Sequence, residues 1–72
     1  MMYRIVARLA DSSGNPLSGR YVDIYVDGVK IYTGTTDSNG EVSTTYDLSP
    51  GTHVIRAVFQ GDSNYEGSEA SA

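Results

Sequence analysis

The residues best suited to bind a ligand are four alternating side chains of one short segment: Tyr21, Asp23, Tyr25 and Asp27. The intervening positions 22, 24 and 26 are β-branched and apolar, so a strand would bury them and expose the four others. Flat aromatic surface beside carboxylate acceptors suits a carbohydrate or a basic protein surface. Alternatively, the tyrosines only cover neighbouring strands through cross-strand pairs worth about 0.2–1 kcal/mol each. This segment is the candidate ligand-binding face.

The only histidine, His53, is the next candidate. Strand alternation places its side chain inward beside Ile55, in the manner of a partly buried structural histidine. A general base needs a nucleophile and an orienting group that converge on a pocket, and one strand position supplies neither. The hydroxyl runs at 12–13 and 43–45 likewise have no base beside them. The sequence therefore predicts no catalytic residue and no enzyme.

Oxygen ligands suited to calcium are concentrated in three turns. They are Asp11 with Asn15, Asp37 with Asn39, and Asp62 with Asn64. Glu41 follows the second turn too soon to be the bidentate acid of a calcium loop, and hairpin turns favour Asp, Asn and Gly for backbone reasons alone. Without cysteine, a transition metal would depend largely on carboxylates. We predict neither a metal site nor a cofactor.

Size and charge limit the remaining possibilities. The chain has 72 residues, enough for one domain of marginal stability, and its formal net charge of -4 has the wrong sign for binding nucleic acid. No apolar run approaches the roughly 18 residues that cross a bilayer, which predicts no membrane insertion. The paired Met1-Met2 resembles a start codon placed before an internal fragment, so we interpret the chain as an excised piece.

Alternating apolar residues between turn clusters predict an all-β domain of five antiparallel strands, with no helix. The predicted strands are Tyr3–Asp11, Tyr21–Asp27, Val29–Thr36, Glu41–Leu48 and Thr52–Gln60. Asp27-Gly28 predicts a type I′ hairpin turn, whereas the inward face of the strand after it is ambiguous. The predicted interior includes Ile5, Leu9, Val22, Ile24, Ile55 and Phe59. A single domain over 1–72 would have its core in 3–60 and a polar, loosely ordered tail over 61–72.

The order of the turns resembles that in the prokaryotic immunoglobulin-like repeats of bacterial and archaeal surface proteins, over nearly all of 3–68. The motifs that carry the resemblance are Gly14-Asn15-Pro16-Leu17-Ser18-Gly19, Asp27-Gly28, Thr36-Asp37-Ser38-Asn39-Gly40, Pro50-Gly51, Ala57 and Gly61-Asp62-Ser63-Asn64-Tyr65. The resemblance implies an immunoglobulin-like antiparallel β-sandwich. It also implies a non-catalytic structural or adhesion module of a cell-surface or extracellular protein.

In such repeats one strand normally precedes the Tyr3 strand and another follows the strand ending near Gln60. Both are missing by this comparison, so we expect a truncated sandwich whose open edges self-associate or exchange strands between copies. Two other functions remain open. One is a carbohydrate- or protein-binding module that uses the tyrosine–aspartate face. The other is a transthyretin-like accessory domain of an extracellular hydrolase, in which Gly-x-Pro and Asp-x-x-Gly turns also occur.

Overall fold

The computed structural model describes all 72 residues and contains six strands and no helix, hence no helix that could span a membrane. The strands are β1 (Met2–Arg8), β2 (Tyr21–Val26), β3 (Val29–Thr35), β4 (Glu41–Asp47), β5 (Ile55–Phe59) and β6 (Ser68–Ser71). They form a two-stranded sheet, β1-β4, and a four-stranded sheet in the order β3-β2-β5-β6. All pairings are antiparallel. The predicted immunoglobulin-like β-sandwich is confirmed.

The core lies between the sheets and follows the predicted alternation. Its buried members are Leu9, Leu17, Val22, Ile24, Val26, Val42 and Phe59, and all but Val26 form one contact cluster. Ile24 is fully buried at the centre of the four-stranded sheet. Of the predicted interior residues, only Ile5 and Ile55 are partly buried, and both pack against this cluster.

The β2–β3 hairpin explains why the sequence left the inward face of β3 ambiguous. Asp27 and Gly28 both have positive φ, 50° and 83°, as a type I′ turn requires, so the predicted turn is confirmed. The register then shifts between Ile24 and Tyr25, which leaves Ile31 as an extra residue on β3. A bulge of this kind interrupts the two-residue period.

The last strand is present, and here the expectation from the sequence was wrong. β6 pairs with β5, with Ala57 opposite Ala70 and Phe59 opposite Ser68, so β5 is an inner strand of its sheet. The segment Ser-Glu-Ala-Ser carries no alternating apolar pattern because all four residues are exposed, and it is held by backbone pairing. By contrast, β1 has β4 as its single partner.

The connections between the strands lie at two opposite ends of the sandwich. The hairpin end, as we name it, holds the Asp27-Gly28 turn, the loop over 48–54 and both termini. The loop end holds the other three connections, over 9–20, 36–40 and 60–67.

Candidate functional site

The structure does not expose the candidate face as one continuous stripe. Tyr21 is 72% exposed and Asp27 about half exposed, but Asp23 is only 6% exposed and Tyr25 is half-buried. Tyr21, Asp23 and Tyr25 lie on the outer side of β2, because they alternate with the buried positions 22, 24 and 26, whereas Asp27 belongs to the turn that follows the strand. The prediction that Asp23 faces solvent was wrong.

Asp23 is buried because its neighbours on both sides hold its carboxylate. Thr33, directly opposite on β3, donates its hydroxyl proton to Oδ1 at 2.6 Å, and Gln60 donates from its side-chain amide to Oδ2 at 2.8 Å. These two hydrogen bonds, that from Thr33 foremost, lower the pKa of Asp23 against the opposing effect of burial, and the charge of Lys30 adds to them. The carboxylate therefore stays ionised at neutral pH.

Tyr25 is occupied by a cross-strand partner. The guanidinium of Arg56, opposite on β5, lies 4.5 Å from the centre of the Tyr25 ring, within the range of a cation–π contact. Arg56 also meets Glu69 of β6 at 3.3 Å. Tyr25 thus fits the alternative interpretation, in which a tyrosine covers its neighbouring strands.

Asp27 and His53 form a clasp at the hairpin end. His53 Nδ1 lies 2.7 Å from Asp27 Oδ2, its Nε2 lies 2.7 Å from the carbonyl oxygen of Ser49, and Val54 N–H donates to Asp27 Oδ1 at 2.8 Å. Since both ring nitrogens face acceptors, the doubly protonated ring is favoured. The hydrogen bond to Asp27, and then that to the Ser49 carbonyl, raises the pKa of His53, and the same contact lowers the pKa of Asp27.

The composition of this clasp is that of a serine-hydrolase triad, but its geometry is not. The Ser49 hydroxyl is 3.5 Å from His53 Nε2, whereas the Ser49 carbonyl is 2.7 Å away. Nε2 donates its proton to that carbonyl and so offers no lone pair to the hydroxyl. The three residues fasten the 48–54 loop to the β2–β3 turn. Sequence reasoning placed His53 inward but missed its partners, because their proximity depends on which turns share an end.

The aspartates of the loop end serve their own turns. Asp11, Asp37 and Asp62 each accept two backbone N–H groups from the following residues at 2.8–3.0 Å through one carboxylate oxygen. These bonds lower the pKa of Asp11 and Asp62. The structure contains no group of three or more His, Cys, Asp or Glu residues arranged to hold a metal ion. Backbone capping is the role that explains these aspartates.

An open groove of about 570 Å³ lies on the outer face of β2 towards the loop end. Tyr21 stands at its rim, and Asp23 with its partners Thr33 and Gln60 forms its floor. We name it the Tyr21 groove. Sequence reasoning selected Tyr21 and Asp23 but missed the other two, since only the strand register brings residues 33 and 60 beside residue 23.

Comparison with family models gave a match that covers nearly the whole chain. A family model described as bacterial Ig-like domain (group 3) matches residues 3–72, which include nearly all of β1 and extend through β6. No curated protein and no solved structure gave a significant match. The match therefore spans both sheets of the sandwich.

Proposed function

The chain belongs to the bacterial Ig-like domain family (group 3), and from that membership we propose that it is a non-catalytic structural and adhesion module of a prokaryotic cell-surface or secreted protein. Domains of this family are typically non-catalytic and are often parts of surface or extracellular proteins. The family match over nearly the whole chain is the observation that carries the proposal.

The use of polar side chains supports a structural role. The Asp27–His53–Ser49 cluster joins two connections at the hairpin end, and each loop-end aspartate caps its own turn. These are the groups from which an active site would otherwise draw acids and bases, and each of them holds a loop in place.

Surface labelling of the source cells tests the location. An antibody raised against the folded domain should label intact cells, or material shed from them, if the module belongs to a surface or secreted protein. Labelling that appears only after the cells are permeabilised would contradict the proposal.

We further propose that copies of this domain self-associate through the open edge of β1. Leu48 N–H donates to Met1 O and Leu9 N–H donates to Gly40 O, so the odd-numbered residues of this strand bond to β4. By alternation, the backbone groups of Met2, Arg4, Val6 and Arg8 point away from β4. Unpaired groups along an edge accept a further strand, here from a second copy.

Substitution at Val6 tests this edge. Val6→Pro removes one outward-facing N–H and leaves the bonds to β4 in place, whereas Val6→Thr keeps the N–H and nearly the same shape. In sedimentation velocity at high micromolar concentration, the wild type and Val6→Thr should associate and Val6→Pro should not. A monomeric wild type at that concentration, or equal association of all three proteins, would exclude the β1 edge as the contact.

A further inference from the structure

We propose that the Tyr21 groove binds a neutral saccharide chain. The binding would be additional to the structural role and does not depend on it. The groove is an open depression of about 570 Å³ that combines one free aromatic face with a polar floor. Three features of the groove suit such a ligand: the unused hydrogen-bonding capacity of the floor, the exposed ring of Tyr21, and the balance of charge around them.

The floor has hydrogen-bonding groups to spare in both directions. Each oxygen of Asp23 accepts one bond within the chain, but an ionised carboxylate has about four acceptor sites. Thr33 donates its hydroxyl proton to Asp23 and keeps its lone pairs as acceptors. Gln60 uses one amide N–H, which leaves its other N–H and its carbonyl oxygen without a partner in the chain. Each vicinal hydroxyl of a sugar is both a donor and an acceptor, so a pair of them can bond to these free donors and acceptors of the floor.

The floor is also held in place before any ligand arrives. Asp23 is 6% exposed and hydrogen-bonded on both sides, so its carboxylate, the Thr33 hydroxyl and the Gln60 amide occupy fixed positions. Preorganised polar groups bind a ligand at a lower entropic cost than mobile surface side chains. A carboxylate buried on the outer face of a sheet is costly unless it is paired, and the pairing to residues 33 and 60 accounts for its retention there.

Tyr21 supplies the apolar half of a saccharide site. Its side chain is 72% exposed, and it lies beside Gln60 on the same face because the β2–β5 register pairs Asp23 with Val58 two residues further along. No cation covers its ring, whereas Tyr25 has Arg56 over its face and Tyr65 has Arg20. A free aromatic face can stack against the C–H face of a pyranose ring.

Charge favours a neutral ligand. Arg20, on the groove wall, is ion-paired with Asp62, and the charge of Lys30 is set against that of Asp23. The groove is lined by two positive and two negative side chains, so its formal net charge is zero. An anionic polysaccharide would meet the ionised Asp23, and a basic peptide would meet Arg20 and Lys30, so neither is preferred over an uncharged chain.

Amide chemical-shift mapping of the intact 72-residue chain tests the proposal. The probes are cellohexaose, chitohexaose and mannohexaose, with hexagalacturonate as an anionic comparison. At least one neutral hexasaccharide should shift the backbone amides around residues 21, 33 and 60, with a dissociation constant on the order of 1 mM. Tyr21→Ser should weaken that binding by about tenfold or more, since it removes the stacking surface.

Two variants separate the aromatic and polar parts of the site. Gln60→Leu should also weaken binding, and thermal unfolding of that variant shows whether the loss comes from the groove or from the fold. Tyr3→Ser, which removes a 48% exposed tyrosine from the other sheet, should leave affinity unchanged. The proposal is overturned if none of the three neutral hexasaccharides binds, if only hexagalacturonate binds, or if Tyr21→Ser and Tyr3→Ser have equal effects.

Discussion

The two ends of the sandwich are built from similar residues but are fastened in different ways. At the loop end, three aspartates cap their own turns, and Thr36 and Arg20 join one connection to another. At the hairpin end, the turn and the 48–54 loop are joined by the imidazole of His53 and by two hydrogen bonds between Asp27 and Val54. The fastenings between connections at the loop end include the Thr36 hydroxyl, which does not change protonation state near neutral pH, whereas those at the hairpin end include an imidazole, whose ordinary pKa lies close to neutral.

Thr36 is the most buried of the polar residues that join the connections at the loop end. It is 4% exposed, donates its hydroxyl proton to the carbonyl of Leu17 at 2.7 Å, and accepts the N–H of Arg20 at 2.9 Å. Thr36→Val keeps the shape but leaves both backbone groups without these partners. Because each unsatisfied buried group costs about 1–3 kcal/mol, the free energy of unfolding should fall by roughly 2–4 kcal/mol, the largest effect predicted here.

Urea unfolding of Thr36→Val and Thr45→Val measures this cost. Thr45 lies exposed on β4, so its replacement should change the free energy of unfolding by less than about 0.5 kcal/mol. If the two variants lose equal stability, the Thr36 hydroxyl does not hold the loop end, and the contrast between the ends loses its main support.

Two glycines allow a matched comparison of the ends. Gly40 at the loop end and Gly28 at the hairpin end have similar φ angles, 75° and 83°. A Cβ at Gly28 would meet nothing within 4 Å, but at Gly40 it would press into the backbone carbonyl of Leu9 and lie 3.1 Å from Pro16 Cβ. Gly28→Ala should cost roughly 1–2 kcal/mol from backbone strain alone, and Gly40→Ala should cost at least about 1 kcal/mol more.

Chemical denaturation of both variants decides whether the loop end is the more tightly packed of the two. Similar losses of stability would show that the carbonyl of Leu9 moves aside and that the loop connections are looser than their contacts indicate. A larger loss at Gly28 would reverse the comparison.

The local sequence pattern was enough to predict five of the six strands, but not the contacts that form the candidate site. Five strands and the Asp27-Gly28 turn follow from alternation and turn chemistry, both of which are local. β6 was missed because its four residues are small or polar and exposed, and its pairing with β5 uses backbone groups that any residue supplies. The sequence carries no side-chain signal for such a strand.

The errors at the candidate site have a similar cause. Alternation correctly put Asp23 on the outer side of β2, but its burial depends on Thr33 and Gln60, which lie 10 and 37 residues away in the chain. The same holds for His53 and Asp27, separated by 26 residues. Which strands are neighbours, and in which register, decides these contacts, and the bulge at Ile31 shifts that register within the hairpin.

The smallest predicted effect is the pH dependence of the hairpin end, since His53 is still 19% exposed. Its pKa is raised above the ordinary value of 6.5 by Asp27 and the Ser49 carbonyl. The folded state therefore holds this proton more tightly, and its stabilising contribution is complete below about 6.5 and is lost as pH rises through the folded pKa. The lowered pKa of Asp27 acts oppositely: its contribution is complete above 3.8 and is lost as pH falls through the folded value.

Urea midpoints of the wild type and His53→Gln between pH 5 and 9 isolate this contribution. The wild type should lose more stability than the variant as pH rises, because the variant has no imidazole to deprotonate. All other groups are common to both proteins, so their contributions cancel in the difference. The pKa values of Asp11 and Asp62 at the loop end are lowered, so these two carboxylates stay ionised throughout, and a difference between the profiles comes from the imidazole that the variant lacks. Parallel profiles would show that folding does not change how tightly His53 holds its proton, and that the two ends do not differ in their response to pH.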